Sequence, residues 1–219
     1  MGKLTPTKPL LVMLYGMPGS GKTFFARQLT EHVKLAHVQS DRIRNELFQN
    51  PTYSKDENHI VASIMLYMTE EFLKAGVSVI FDTNAMRIAQ RRALRNLAVR
   101  SGAESLLLWL QIDPDSAYLR ASNRDKRKAD DKYAQVMDIP SFKQLLGGMQ
   151  NPEIIEKVIV LSGKHVFNTQ KNAVIRSLKE RRLVTSDTQD HLSKPGLINL
   201  VPNTGTGRVD MSRRNVRIQ

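Results

Sequence analysis

The chain has 219 residues, of which 41% are hydrophobic, and carries 33 Lys and Arg against 21 Asp and Glu, a formal net charge of +12, with no cysteine. That length suits one domain with a substantial core and room for an extension, and the lack of cysteine excludes disulfides, zinc–thiolate sites and a thiol nucleophile and points to the cytoplasm. No apolar run approaches the roughly 18 residues that span a bilayer, so no membrane partner is expected, while the basic excess favours polyanionic ligands without naming one.

Leu10-Leu11-Val12-Met13-Leu14-Tyr15 is a continuous apolar run, the pattern of a strand covered on both faces, as in a parallel sheet. It is too short for a signal-peptide core. Directly after it, Gly16-Met17-Pro18-Gly19-Ser20-Gly21-Lys22-Thr23 fits the phosphate-loop pattern G-x-x-x-x-G-K-[ST] at every fixed position. In that pattern backbone N–H groups of a glycine-rich turn converge on nucleotide phosphates, and the following helix adds the positive end of its dipole. Lys22 would reach the β- and γ-phosphates of ATP, and Thr23 would put its hydroxyl on Mg²⁺. Phe24 to Lys34 has helical spacing, with Phe25, Leu29 and Val33 on one face. Strand, loop and helix is the order the motif requires.

Leu35 to Gln39 is a second strand, and Asp41 to Phe48 a short helix broken by Asn50-Pro51. Asp56 to Ala75 is a long helix whose inward face is read as Ile60, Ile64, Met68 and Phe72, with Gly76 as its stop. Val77 to Phe81 is a third strand, ending in Asp82-Thr83-Asn84. Arg87 to Arg100 is an amphipathic helix on which Arg87, Arg91, Arg92 and Arg95 form a basic face, suited to an acceptor phosphate, to nucleic acid or to solvent. Ser105 to Ile112 is a fourth strand. Asp113 as N-cap and Pro114 at the first position then open a helix that runs into the charged stretch Arg120 to Lys132. Lys157 to Leu161 is a fifth strand, and Asn168 to Arg182 a last helix with Val174 and Leu178 inward. Beyond about residue 184, Pro195, Pro202 and the small residues of 204–207 interrupt any periodicity. Residues 1–184 are thus expected to form the domain, and 185–219 a tail or extension.

Strands alternating with helices imply an α/β fold, a five-stranded parallel sheet with helices on both faces. Such sheets bind ligands at the carboxyl ends of their strands. Asp41 follows the second strand and reads either as a general base for an acceptor hydroxyl, with Arg44 on the same side of the helix, or, like Ser40, as a helix cap. Asp82 reads as an acidic residue that helps hold Mg²⁺, directly or through water, or as an Asx turn. Thr83 and Asn84 offer a hydroxyl and an amide beside it. Arg120 and Arg124 are one helical turn apart and read either as facing the transferring phosphate from a lid or as part of a solvated charged helix paired with Asp125, Asp130 and Asp131. The five histidines show no metal-ligand spacing.

In combination, Gly16–Thr23, Ser40-Asp41-Arg42-Ile43-Arg44, Asp82-Thr83-Asn84 and Arg120-x-x-x-Arg124 resemble the AAA-33-type P-loop kinases, a group that includes the kinase domain of the phage polynucleotide 5′-kinase. The resemblance covers about residues 10 to 180. It implies a P-loop NTPase fold with a helical lid near 114–150. It also implies Asp41 as the general base, Arg44 as the arginine on the acceptor phosphate, and Lys22 and Thr23 as the phosphate-loop lysine and Mg²⁺ ligand. Asp82 corresponds to the acidic residue ending strand three, and Arg124, with Arg120 beside it, to the lid arginine. The cluster Lys126-Arg127-Lys128 lengthens the lid, so Arg124 and Arg127 could exchange roles. The activity implied is ATP- and Mg²⁺-dependent transfer of the γ-phosphate to a hydroxyl. A polynucleotide 5′-hydroxyl is the leading acceptor, with a small molecule or nucleotide-sugar as the alternative. A nucleotide-dependent switch without an acceptor is a third reading, and the absence of an N-K-x-D motif argues against guanine specificity.

Overall fold

The structure, a computed structural model, describes residues 2–83, 87–129 and 131–185. Asn84, offered as an acceptor ligand, and the expected tail from residue 186 onward lie outside the described residues. The strands are β1 (Leu10–Tyr15), β2 (Ala36–Gln39), β3 (Val79–Asp82), β4 (Glu104–Gln111) and β5 (Ile159–Ser162). All pair in parallel, in the order β2-β3-β1-β4-β5. Every residue of β1 is buried, which is why its sequence shows no alternation. Leu10, Val12 and Leu14 enter one core, and Leu11, Met13 and Tyr15 the other.

The helices are α1 (Lys22–Thr30), α2 (Ser40–Leu47), α3 (Lys55–Lys74), α4 (Ile88–Arg100), α5 (Pro114–Ser122), α6 (Ile139–Gly147) and α7 (Phe167–Glu180). Phe25, Ala26 and Leu29 of α1 and Val174 and Leu178 of α7 cover one face of the sheet. Val61, Met65 and Leu73 of α3 and Leu94, Leu97 and Ala98 of α4 cover the other. The expected α/β layering is therefore present. A third, smaller core joins Ala117 and Ala121 of α5 to Phe142 of α6 and Met137, with Met17 of the loop packed against it. The segment from α5 to α6 thus meets the phosphate loop through apolar contact.

Three expectations are corrected. The inward face of α3 is Glu57, Val61, Met65, Thr69 and Leu73, and Ile60 is 43% exposed. Two adjacent four-residue rows are largely apolar, and the buried one begins with Glu57, the ion-pair partner of Arg44. The basic face of α4 is not wholly solvated. Arg91 is fully buried, donates to Glu156 through Nε (2.9 Å) and Nη2 (2.8 Å), and stacks on the Tyr15 ring at 4.9 Å. Finally, α5 stops at Ser122, so Arg124 lies past the helix end and does not share a helical face with Arg120.

Candidate active site

The loop between β1 and α1 requires glycine at position 19. Gly19 has φ +83°, and a Cβ there would lie 2.0 Å from the Ala117 carbonyl oxygen. Gly21 caps α1 at φ +93° and contributes no side-chain hydrogen bond, which leaves the first amides of the helix for an anion. The buried Ser20 hydroxyl has no hydrogen-bond partner among the described residues. Lys22 is buried and donates from Nζ to the carbonyl oxygens of Gly16 and Met17, 2.9 Å each. Burial lowers its pKa to about 8, against the pull of the Asp82 carboxylate.

Asp41 lies in the first turn of α2, whose N-cap is Gln39, so it is not the cap. It lines a cavity of about 60 Å³ together with Gly19, Gly21, Lys22, Thr23 and Arg124. Burial, then the neighbouring Asp82 charge, push its pKa up to about 6, with Lys22, Arg44 and Arg124 pulling the other way. A carboxylate poised there can take a proton near neutral pH.

Arg44 is buried and committed within the protein. Nη1 donates to Glu57 Oε2 at 3.0 Å, Nη2 donates to Asn58 Oδ1 at 2.6 Å, and the guanidinium lies 4.5 Å from the Tyr53 ring centroid. Glu57 also accepts from Thr52 and Tyr53. Burial opposes its charge, but these hydrogen bonds outweigh it and bring the pKa down to about 2. Asp82, 3% exposed, faces His37 Nε2 at 3.1 Å, a partner the histidine spacing did not signal. Arg124 bonds Asp131 at 2.6 Å, while Arg120 donates to the Gly163 carbonyl at 3.1 Å on the β5 side. Of the two arginines, Arg124 is the one that lines the cavity with Lys22 and Asp41.

From Asp41 a larger cavity of about 730 Å³ extends between α2, α3 and α4 and under the segment leading to α6. Asp41, Gln135 and Met137 line both cavities, and Arg44 and Thr83 line the larger one. A second space of about 730 Å³ opens on the opposite side of the loop, beside Met17, Asp113, Ser162 and Lys164. Asp113 caps α5 through Ser116 N and pairs with Lys164 at 2.6 Å.

Among the described residues no group of three or more His, Cys, Asp or Glu could hold a metal on its own. The oxygens near the loop, the Thr23 hydroxyl and the Asp82 carboxylate, suit a hard cation that takes most of its ligands from water and phosphate. They therefore fit Mg²⁺ carried in with a nucleotide. No helix among the described residues is long and apolar enough to cross a membrane.

A model of the AAA domain family AAA_33 matches residues 11–145, more than half of the chain, and the chain belongs to that family. No curated protein matches it significantly. Among solved structures it is similar to a sugar kinase from Janibacter sp. HTCC2649, with a TM-score of 0.57, 19% identity and coverage of 80% of this chain and 95% of that one. A gluconokinase from Sinorhizobium meliloti 1021 gives 0.55, 16%, 79% and 93%. A chain of the Pnkp1/Rnl/Hen1 RNA repair complex gives 0.54, 18%, 68% and 45%. At these identities the likeness is one of fold: a P-loop α/β sheet with helices on both faces.

Proposed function

We propose that the protein is an ATP-dependent phosphotransferase that moves the γ-phosphate to a hydroxyl held in the cavity between α2, α3 and α4. The observation that carries this reading is Asp41, a single carboxylate shared by the cavity at the phosphate loop and the cavity beside it. A nucleotide switch needs no such second chamber.

In this reading the triphosphate lies along Gly16–Thr23, held by backbone N–H groups and the N-terminus of α1. Lys22 exchanges the carbonyl oxygens of Gly16 and Met17 for phosphate oxygens. The acceptor proton passes to Asp41, the hydroxyl oxygen bonds to the γ-phosphorus, and the bond to the β,γ-bridging oxygen breaks, releasing ADP. Arg124 offsets the charge on the transferring group. Thr23, and Asp82 through water, would hold Mg²⁺, which when bound neutralises phosphate charge. The space beside Met17 and Lys164 leaves room for the base and ribose of the nucleotide, with Arg120 near them.

A small-molecule acceptor fits the covered cavity best. The phosphate-binding part assigned to Arg44 by resemblance is weakened by its pairing with Glu57. A polynucleotide 5′-hydroxyl is the second reading, favoured by the net charge of +12 and by exposed Arg87 on the cavity lining. Transfer of labelled γ-phosphate to a pool of small alcohols and to a 5′-hydroxyl oligonucleotide, compared side by side, tests the reading. Label in neither, with ATP bound, defeats it.

A further inference from the structure

We propose that the acceptor is an uncharged alcohol with a flat aromatic ring body, the chemical class to which nucleosides belong, and not a sugar, a sugar acid or a polyol. This rests on the phosphotransferase reading above and adds to it the chemistry of the second substrate.

The floor of the large cavity is Val61, Met65, Phe81 and Leu94, all buried, and Leu66 and Leu145 continue it towards the rim. The four floor side chains come from α3, α4 and β3 and also belong to the core on that face of the sheet. A sugar or polyol carries a hydroxyl on nearly every carbon, and those turned towards this floor would lose their water without gaining a hydrogen bond. An apolar ring gains by the same burial. The volume of about 730 Å³ falls within the range of about 300–1,000 Å³ that encloses ligands of drug size.

Charge points the same way. Among the described lining residues the cations are Arg44 and Arg87, and the anion is Asp41. The Arg44 charge is met by Glu57 at 3.0 Å, and three groups besides Arg44 donate to Glu57: Thr52 N, Thr52 Oγ1 and Tyr53 N. That carboxylate cannot swing away cheaply to release the arginine to a ligand. Arg87 is exposed, where water screens it. An anionic acceptor entering this chamber would therefore meet the Asp41 carboxylate, with only the Nε–H of Arg44 left without a partner among the described residues and with Lys22 and Arg124 on the phosphate-loop side of Asp41.

Polar recognition remains at the rim. The amides of Gln135 and Gln144 line the cavity and make no hydrogen bond within the protein among the described residues. Gln90 beside them accepts from Arg87 N and keeps its NH₂ group. Each amide offers both donor and acceptor, which suits the edge of a heterocyclic or carbonyl-bearing ring.

The test uses the full chain, labelled ATP and two acceptor sets at equal concentration. One contains adenosine, thymidine and uncharged aromatic alcohols, and the other contains gluconate, glucose and open-chain polyols. The expected result is phosphate ester in the first set, with kcat/KM at least about 100-fold above any member of the second, a ratio consistent with leaving buried polar groups unpaired. Transfer confined to sugars or sugar acids overturns this inference and leaves the phosphotransferase reading standing. Transfer to neither set overturns this inference, and if a 5′-hydroxyl oligonucleotide assayed beside them also stays unlabelled with ATP bound, the phosphotransferase reading falls with it. Two variants sharpen the outcome. Leu66→Gln should raise KM for the ring alcohol about tenfold while ATP affinity by calorimetry is retained. Glu57→Gln, if folded by circular dichroism, should raise the relative kcat/KM for gluconate. No change in either ratio contradicts the role given to the apolar wall and to the compensated arginine.

Discussion

Arg44 on α2 donates to Glu57 on α3 across 3.0 Å, so the cation read as a partner for an acceptor phosphate also joins the helix bearing Asp41 to the helix that lines the large cavity. The Glu57 carboxylate holds its charge down to about pH 2. Its folded pKa lies below the unfolded value, so its contribution to stability is fully present above the ordinary carboxylate range and is lost as pH falls towards 2. The difference in urea midpoint between the parent and Glu57→Gln should be constant above about pH 5 and narrow below it. A difference that widens on acidification would contradict the pairing.

Activity should follow a bell-shaped pH profile. Asp41, raised to about 6, must be deprotonated to accept a proton, and Lys22, lowered to about 8, must be protonated to hold phosphate. Below pH 6, kcat/KM should fall about tenfold per pH unit, and a second decline should begin above pH 8. Asp41→Asn should remove the acid limb from whatever activity remains.

Gly19 and Gly21 have similar positive φ angles but different surroundings. A Cβ on Gly19 meets the Ala117 carbonyl at 2.0 Å, whereas one on Gly21 meets open space. Backbone strain alone costs on the order of 1–3 kcal/mol. Gly19→Ala should therefore lose more thermal stability and more ATP affinity than Gly21→Ala. The reverse order in calorimetry would show that the loop does not press on α5 in this way.

Arg91 and Arg95 both reach Glu156 from α4, but Arg91 is fully buried and Arg95 is 25% exposed. Removing one partner of a buried pair leaves an uncompensated charge, at about 3–5 kcal/mol. Exposed pairs are worth about 0–1 kcal/mol. Arg91→Ala should lower the unfolding free energy by several times more than Arg95→Ala, as read from denaturant curves.

The parts of the site that the sequence made legible are those with a local signature. The loop is a contiguous motif, and β1 is a contiguous apolar run. Asp41 and Asp82 could be found because strand ends mark the binding edge of a parallel sheet. The parts that stayed hidden depend on contacts between distant residues. Nothing local marks Glu57 as the partner of Arg44, Glu156 as the partner of Arg91, or His37 as the neighbour of Asp82. The face of α3 is ambiguous by one residue because Ile60-Ile64-Met68-Phe72 and Val61-Met65-Thr69-Leu73 are both largely apolar rows at helical spacing. The stop of α5 at Ser122 was masked by a charged stretch that continues to look helical, and this separated Arg124 from Arg120.

The proposed role of Asp41, taking the proton of the acceptor hydroxyl, is the most direct point of test. Labelled γ-phosphate transfer to the best acceptor of the panel should be compared for the parent and Asp41→Asn at pH 7.5, with ATP affinity measured on the same samples. The account predicts a labelled phosphate ester from the parent, transfer slower by about 10²–10⁴-fold in Asp41→Asn, and ATP affinity within a few-fold of the parent. Equal transfer by the two proteins, or label released only as inorganic phosphate, would contradict it.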